Sequence, residues 1–112
     1  KTSVENYFAS SVIKLLEDHL YGKITVQEIC ERLNFSRAYV ANVFKKNTGY
    51  SVSEYYARMK ISEAKKLIRE ENYNFTQISE MLHFDTPNYF SRAFKRITGM
   101  TPSEYRASVK VD

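Results

Sequence analysis

The sequence predicts an all-α protein: two helix-turn-helix subdomains joined by a long linker helix, about seven helices in all. Three observations carry this. Only three Gly and two Pro occur in 112 residues, fewer than strands and their turns would use. Helix-start signals recur along the chain, each a Ser, Thr or Asn three residues ahead of Glu or Gln, or a Thr directly before Pro. Residues 39–55 also repeat as residues 89–105. Tyr, Phe, Lys, Thr, Gly, Ser, Glu and Tyr recur at 39/89, 44/94, 45/95, 48/98, 49/99, 53/103, 54/104 and 55/105. Upstream, Ile29, Leu33 and Phe35 match Ile78, Leu82 and Phe84 at an offset one residue shorter, so the second copy carries one extra residue in its turn. Two copies are too few for a solenoid, and a duplicated supersecondary unit is the simpler reading.

Each element follows in order. Residues 4 to about 20 form an amphipathic helix with Val4, Phe8, Val12, Leu15, Leu16 and His19 on one side. Thr25-Val26-Gln27-Glu28 has the capping-box pattern and starts a helix to about Leu33 that buries Val26, Ile29, Cys30 and Leu33. Asn34-Phe35-Ser36 makes the turn, with Ser36 placed to cap the next helix over residues 37–48, which stops at Gly49. Ser51-Val52-Ser53-Glu54 caps a long helix reaching about Arg69. At 1.5 Å per residue it spans roughly 28 Å, which suits a spacer between the two copies of the repeat. Asn74 with Gln77 is a weaker capping box for a helix burying Ile78 and Leu82. Thr86-Pro87 pairs a cap with Pro at the first helical position, and the helix ends at Gly99. Thr101-Pro102-Ser103-Glu104 starts a short final helix, and residues 108–112 are expected to fray. The expected organisation is therefore a first subdomain over 1–50, a linker helix over 51–70 and a second subdomain over 71–112.

Net charge is +4 and the pI near 9.2, so the distribution of charge matters more than its total. Residues 36–48 hold Arg37, Lys45 and Lys46 with no acid; residues 86–98 hold Arg92, Lys95 and Arg96 with no acid. Positive charge is thus concentrated in two short helices, as a surface for a polyanion requires.

On a helical wheel, Val40, Val43 and Phe44 form the buried stripe of the first such helix and Phe90, Ala93, Phe94 and Ile97 that of the second. Opposite them lie Ala38, Ala41, Asn42 and Lys45, and Asn88, Ser91, Arg92 and Lys95. A face of small, polar and basic side chains can enter a major groove about 12 Å wide, where Asn pairs with adenine, Arg with guanine and Ala packs on a thymine methyl. These eight residues are the expected base readers of double-stranded DNA. Ser36, Arg37, Lys46, Thr86 and Arg96 are the expected phosphate contacts. The bland alternative is a pair of solvated helix surfaces. A rival of another class is a helical interaction module whose basic faces grip an acidic protein partner.

Other chemistry finds little support. Cys30 reads as a core thiol, His19 falls on the buried side of its helix, and His83 replaces a turn residue; no catalytic group, metal site or cofactor is expected. The nine Tyr could stack on single strands, but Tyr39, Tyr55, Tyr89 and Tyr105 sit at repeat positions that favour packing. A single cysteine fits a reducing compartment, so a cytoplasmic location is expected. With no apolar run near the roughly 20 residues of a membrane span, no membrane is expected as a partner. No signal peptide is apparent, and since the chain starts without Met we expect it to be part of something longer.

The run Asp85-Thr86-Pro87-Asn88-Tyr89-Phe90-Ser91-Arg92-Ala93-Phe94-Lys95-Arg96, followed by Gly99-Met100-Thr101-Pro102-Ser103-Glu104-Tyr105-Arg106, closely resembles the signature of the AraC/XylS family of bacterial transcription regulators. Phe44-Lys45-Lys46, Gly49 and Ser53-Glu54-Tyr55 look like the first half of the same domain, so the resemblance covers about residues 4–107. It implies a seven-helix DNA-binding domain that reads asymmetric promoter sites and usually activates transcription by contacting RNA polymerase. By position, the family's base readers fall on Ala38, Ala41, Asn42 and Lys45 and on Asn88, Ser91 and Arg92; Ala41 and Asn42 replace longer polar or basic residues. The resemblance also implies a separate sensing, dimerisation or receiver domain outside this chain. The chain alone is expected to be a monomer, and the full-length protein a dimer through that domain.

Overall fold

The computed structural model describes residues 3–110. Among them are seven helices and no strand: α1 Ser3–Asp18, α2 Val26–Leu33, α3 Arg37–Thr48, α4 Val52–Glu70, α5 Phe75–Met81, α6 Pro87–Thr98 and α7 Pro102–Val109. The chain divides into two compact units at the Tyr56–Ala57 bond, so that α4 gives its first residues to one unit and the remainder to the other. No described helix is long and apolar enough to cross a membrane.

In the first unit α1 and α2 both pack on α3. Phe8, Ala9, Val12 and Leu16 of α1, Ile29 and Cys30 of α2, and Val40, Val43 and Phe44 of α3 are buried, together with Ile24 and Val52. Two expectations shift here. Val4, assigned to the buried stripe, is 69% exposed, and Ala9 is buried instead. A helical projection gives the direction of a side chain but not where the neighbouring element stops, and Val4 lies in the first turn, where nothing covers it. Leu15, His19, Val26 and Leu33 lie at the margin and are only half-buried. The end of α1 is tied down by Tyr56, whose hydroxyl donates to the His19 carbonyl at 2.6 Å.

In the second unit the core gathers Ile61, Ala64, Leu67 and Ile68 of α4, Ile78 and Leu82 around α5, Phe90, Ala93 and Phe94 of α6, and Tyr105 of α7. Phe75, Met81, Phe84, Ile97 and Val109 pack against it. Ile97, expected in the buried stripe, is half-buried at this rim. Full burial of an aromatic or aliphatic side chain contributes about 1.5–3 kcal/mol, so Phe90 and Phe94 here, like Phe44 in the first unit, are principal anchors. The Arg69 guanidinium bonds the Tyr105 hydroxyl at 2.7 Å, and that of Arg106 lies over the Phe75 ring at 4.8 Å. The expected fraying does not begin at Ser108. Helix α7 continues through Val109, with the Ser108 hydroxyl donating to the Tyr105 carbonyl at 2.7 Å and Val109 packed on the core. Val111 and Asp112 of that expectation lie outside the described residues.

Candidate nucleic-acid interface

The two basic helices are built alike. Helix α3 begins where the Ser36 hydroxyl accepts from the Tyr39 amide at 3.1 Å; α6 begins where the Thr86 hydroxyl accepts from the Tyr89 amide at 3.0 Å, with Pro87 at its first position. Both end on a left-handed glycine, Gly49 at φ 84° and Gly99 at φ 86°, each donating back to a lysine carbonyl (Lys45 and Lys95) at 2.8 Å. A φ in this range costs an L-residue its Cβ clearance, which is why Gly occupies both places. The threonine before each glycine closes the exit: the Tyr50 amide donates to the Thr48 hydroxyl and the Met100 amide to that of Thr98, both at 3.1 Å.

The turns leading into these helices also match. Asn34 and His83 adopt left-handed conformations at φ 60° and 56°, and the next amide in each case closes the turn, Phe35 to Cys30 at 3.1 Å and Phe84 to Ser79 at 3.0 Å. Aromatic packing then fixes the helix on its turn. Phe35 stacks on Tyr39 at 4.7 Å with Phe8 edge-on to both, and Phe84 meets Phe90 at 5.2 Å and Tyr89 at 6.0 Å.

With one face of each helix held by three buried residues, the other is free. Ala38, Ala41, Asn42 and Lys45 of α3 and Asn88, Arg92 and Lys95 of α6 are all exposed. Ser91 is half-buried, where its counterpart Ala41 is exposed. The expected phosphate contacts Ser36, Arg37, Lys46, Thr86 and Arg96 are exposed as well. Ser36 and Thr86 use their oxygens to accept the capping amides, which leaves each hydroxyl proton to donate. Neither helix has an acid in its first turn; both carry two cations in the last, Lys45 and Lys46, and Lys95 and Arg96. Those cations also oppose the negative end of the helix dipole, so they stabilise the helix that displays them.

Two residues that a helical wheel cannot place lie beside the α3 face. Ser51 and Ser53, at the start of α4, line an open groove of about 220 Å³ together with Arg37, Ala41 and Lys45 of the α3 face. The Ser-x-x-Glu box at 51–54, repeated as Thr-Pro-Ser-Glu at 101–104, was the available signal. It marks a helix start, and only folding brings that start beside α3. Outside these faces, Cys30 is buried, and no group of three or more His, Cys, Asp or Glu is placed to hold a metal among the described residues.

A helix-turn-helix domain family matches the chain over residues 29–108, most of the length described above and both basic helices α3 and α6. The chain belongs to this family, in its AraC/XylS type. As an AraC/XylS-type domain it is a DNA-binding domain of transcription regulators. Among its relatives is the HTH-type transcriptional regulator YobQ of Bacillus subtilis (strain 168), 35% identical over 100 residues, an alignment covering 89% of this chain and 42% of YobQ. The chain spans 37–42% of the length of YobQ and two further relatives, YisR of Bacillus subtilis and the Msm operon regulatory protein of Streptococcus mutans. An AraC-type regulator structure from Chromobacterium violaceum has the same fold, with a TM-score of 0.86 at 21% identity over 96% of each chain. So does the DNA-binding domain of AdpA, a global transcriptional factor solved in complex with a target DNA, with a TM-score of 0.82 at 22% identity over 89% of this chain and 90% of that one.

Proposed function

We propose that this AraC/XylS-type domain reads double-stranded promoter DNA through α3 and α6, each entering a major groove, and that the two contacts fall in successive grooves. Ala38, Ala41, Asn42 and Lys45 and Asn88, Ser91, Arg92 and Lys95 meet base edges; Ser36, Arg37, Lys46, Thr86 and Arg96 meet phosphates. The observation that carries this reading is the matched pair of acid-free, exposed faces on capped helices of equal length, each held in place by buried residues on its other side. A solvated surface has no need of two such copies.

Finer points belong to the same proposal. Residues 51–70 act as the linker between subdomains 1–50 and 71–112, a role supported by the unbroken helix α4 across the boundary between the two units. The intact protein is a cytoplasmic activator that contacts RNA polymerase and dimerises through a domain outside this chain, while the chain itself binds as a monomer and performs no catalysis. The test is selection of bound duplexes from a random pool, followed by titration of the selected duplex at rising salt. A defined consensus and a steep fall of affinity with salt are expected, each phosphate contact adding close to one unit to the log–log slope. Binding that ignores salt, or no binding at low salt, overturns the reading in favour of an acidic protein partner or none.

A further inference from the structure

Lys60 is the one charged residue buried among the described residues, 5% exposed in the second unit. Burying an ammonium is costly unless it is matched by an acceptor. Its Nζ donates to the carbonyl of Leu82, the residue that closes α5. A carbonyl at a helix C-terminus lacks an intrahelical donor and carries the negative end of the dipole, so a cation is the group best suited to hold it. Immediately beyond Leu82 come His83, in its left-handed conformation, and Phe84, which packs on Phe90 of α6.

The first unit solves the same problem differently. Aligning the buried residues Ala9, Val12 and Leu16 of α1 with Ile61, Ala64 and Ile68 of α4 places Phe8 opposite Lys60. Phe8 holds its turn through Phe35, ring against ring at 4.9 Å. The second unit replaces that ring by a cation on a backbone carbonyl.

We propose that Lys60 is a positioning residue for the second recognition helix: its ammonium pins the turn after α5, and through it the aim of Asn88 and Arg92. The proposal rests on the DNA-reading function above. Burial keeps Lys60 from reaching a phosphate itself, so its loss is felt in selectivity and not in charge.

The experiment compares the 112-residue chain with its Lys60→Met variant on the selected duplex and on random duplex, across a salt series. Loss of about tenfold in affinity for the selected duplex is expected, with random duplex changed by less than about twofold and the salt slope unaltered. Unchanged selectivity in a variant shown folded by its thermal melt overturns the proposal. So does a slope lower by about one unit, which would make Lys60 a phosphate contact. A second measurement does not depend on the variant folding or on DNA: nitrogen NMR of the parent's Lys60 ammonium. Protected protons correlated with the Leu82 carbonyl are expected, and a freely exchanging ammonium overturns the anchor. If the parent itself selects no duplex, the failure lies with the DNA-reading function, and the NMR result still decides the anchor.

Discussion

Replacing Ser79 by Ala is expected to stabilise the second unit. Ser79 lies on α5, is fully buried, and its hydroxyl has no hydrogen-bond partner among the described residues. A buried polar group left unsatisfied costs about 1–3 kcal/mol, and removing it returns that cost. Against this stands the void left by one oxygen: at about 24 cal/mol per Å³, a void of roughly 10–15 Å³ costs about 0.3 kcal/mol. Alanine is also the better residue inside a helix, by up to about 0.5 kcal/mol. The balance favours Ala by about 1–3 kcal/mol, and each kcal/mol raises the melting temperature of a domain this size by roughly 4–8 °C. The repeat supplies a second substitution, because the equivalent residue in the first unit is Cys30, a buried thiol that behaves as a small hydrophobe. Ser79→Cys is therefore expected to move in the same direction. Calorimetry and urea titration of parent and variants measure the change, with DNA binding as a control that α6 is undisturbed. Stability unchanged or lowered in Ser79→Ala would refute the reasoning, since it would mean the hydroxyl makes a bond worth keeping.

Three further outcomes follow from the geometry. Gly99→Ala is expected to cost about 1 kcal/mol, because φ is 86° there and an added Cβ meets nothing within 4 Å, so the penalty is one of backbone conformation alone; a thermal melt checks it, and Gly49→Ala should match it. The Thr25 and Thr101 backbone amides, each seconded by a threonine hydroxyl, hold the Glu28 and Glu104 carboxyls below the usual range. The folded state therefore binds fewer protons, the stability these groups add is present above the ordinary glutamate value of about 4.3, and it is lost as pH falls through their lower folded values. Melts taken as pH falls below the ordinary glutamate value should show a decline that is shallower in the double variant Glu28→Gln, Glu104→Gln. Arg92→Ala is expected to cost about 1–3 kcal/mol on the selected duplex and to relax one position of its consensus, whereas Lys46→Ala should weaken all duplexes alike; equal losses on selected and random DNA for Arg92→Ala would remove it from the base readers.

Much of the fold was legible in the sequence because helix ends are decided locally. Thr25 with Glu28, Asn74 with Gln77, and Thr101 with Glu104 form both bonds of their capping boxes, and Ser36 and Thr86 cap where the turn residues place them. A side chain three residues from an amide needs no tertiary partner to find it. The buried sides of α3 and α6 were legible for a related reason: a 3.6-residue period is a property of the helix alone, and the repeat confirmed it by stating the pattern twice.

What the tertiary structure decided is everything that depends on where a neighbouring element begins and stops. Periodicity places Val4 with Phe8, but only the packing of α1 on α3 leaves one exposed and the other buried. Ser91 and Ala41 occupy the same place in the repeat, yet one is half-buried and the other exposed. Ser51 and Ser53 read as a helix start until folding sets them beside Arg37 and Lys45. Lys60 is buried because folding brings the Leu82 carbonyl, 22 residues away, to its ammonium. Caps and periods act over a few residues and are written where they act; burial is a relation between segments far apart in the chain, and no short stretch of sequence contains it.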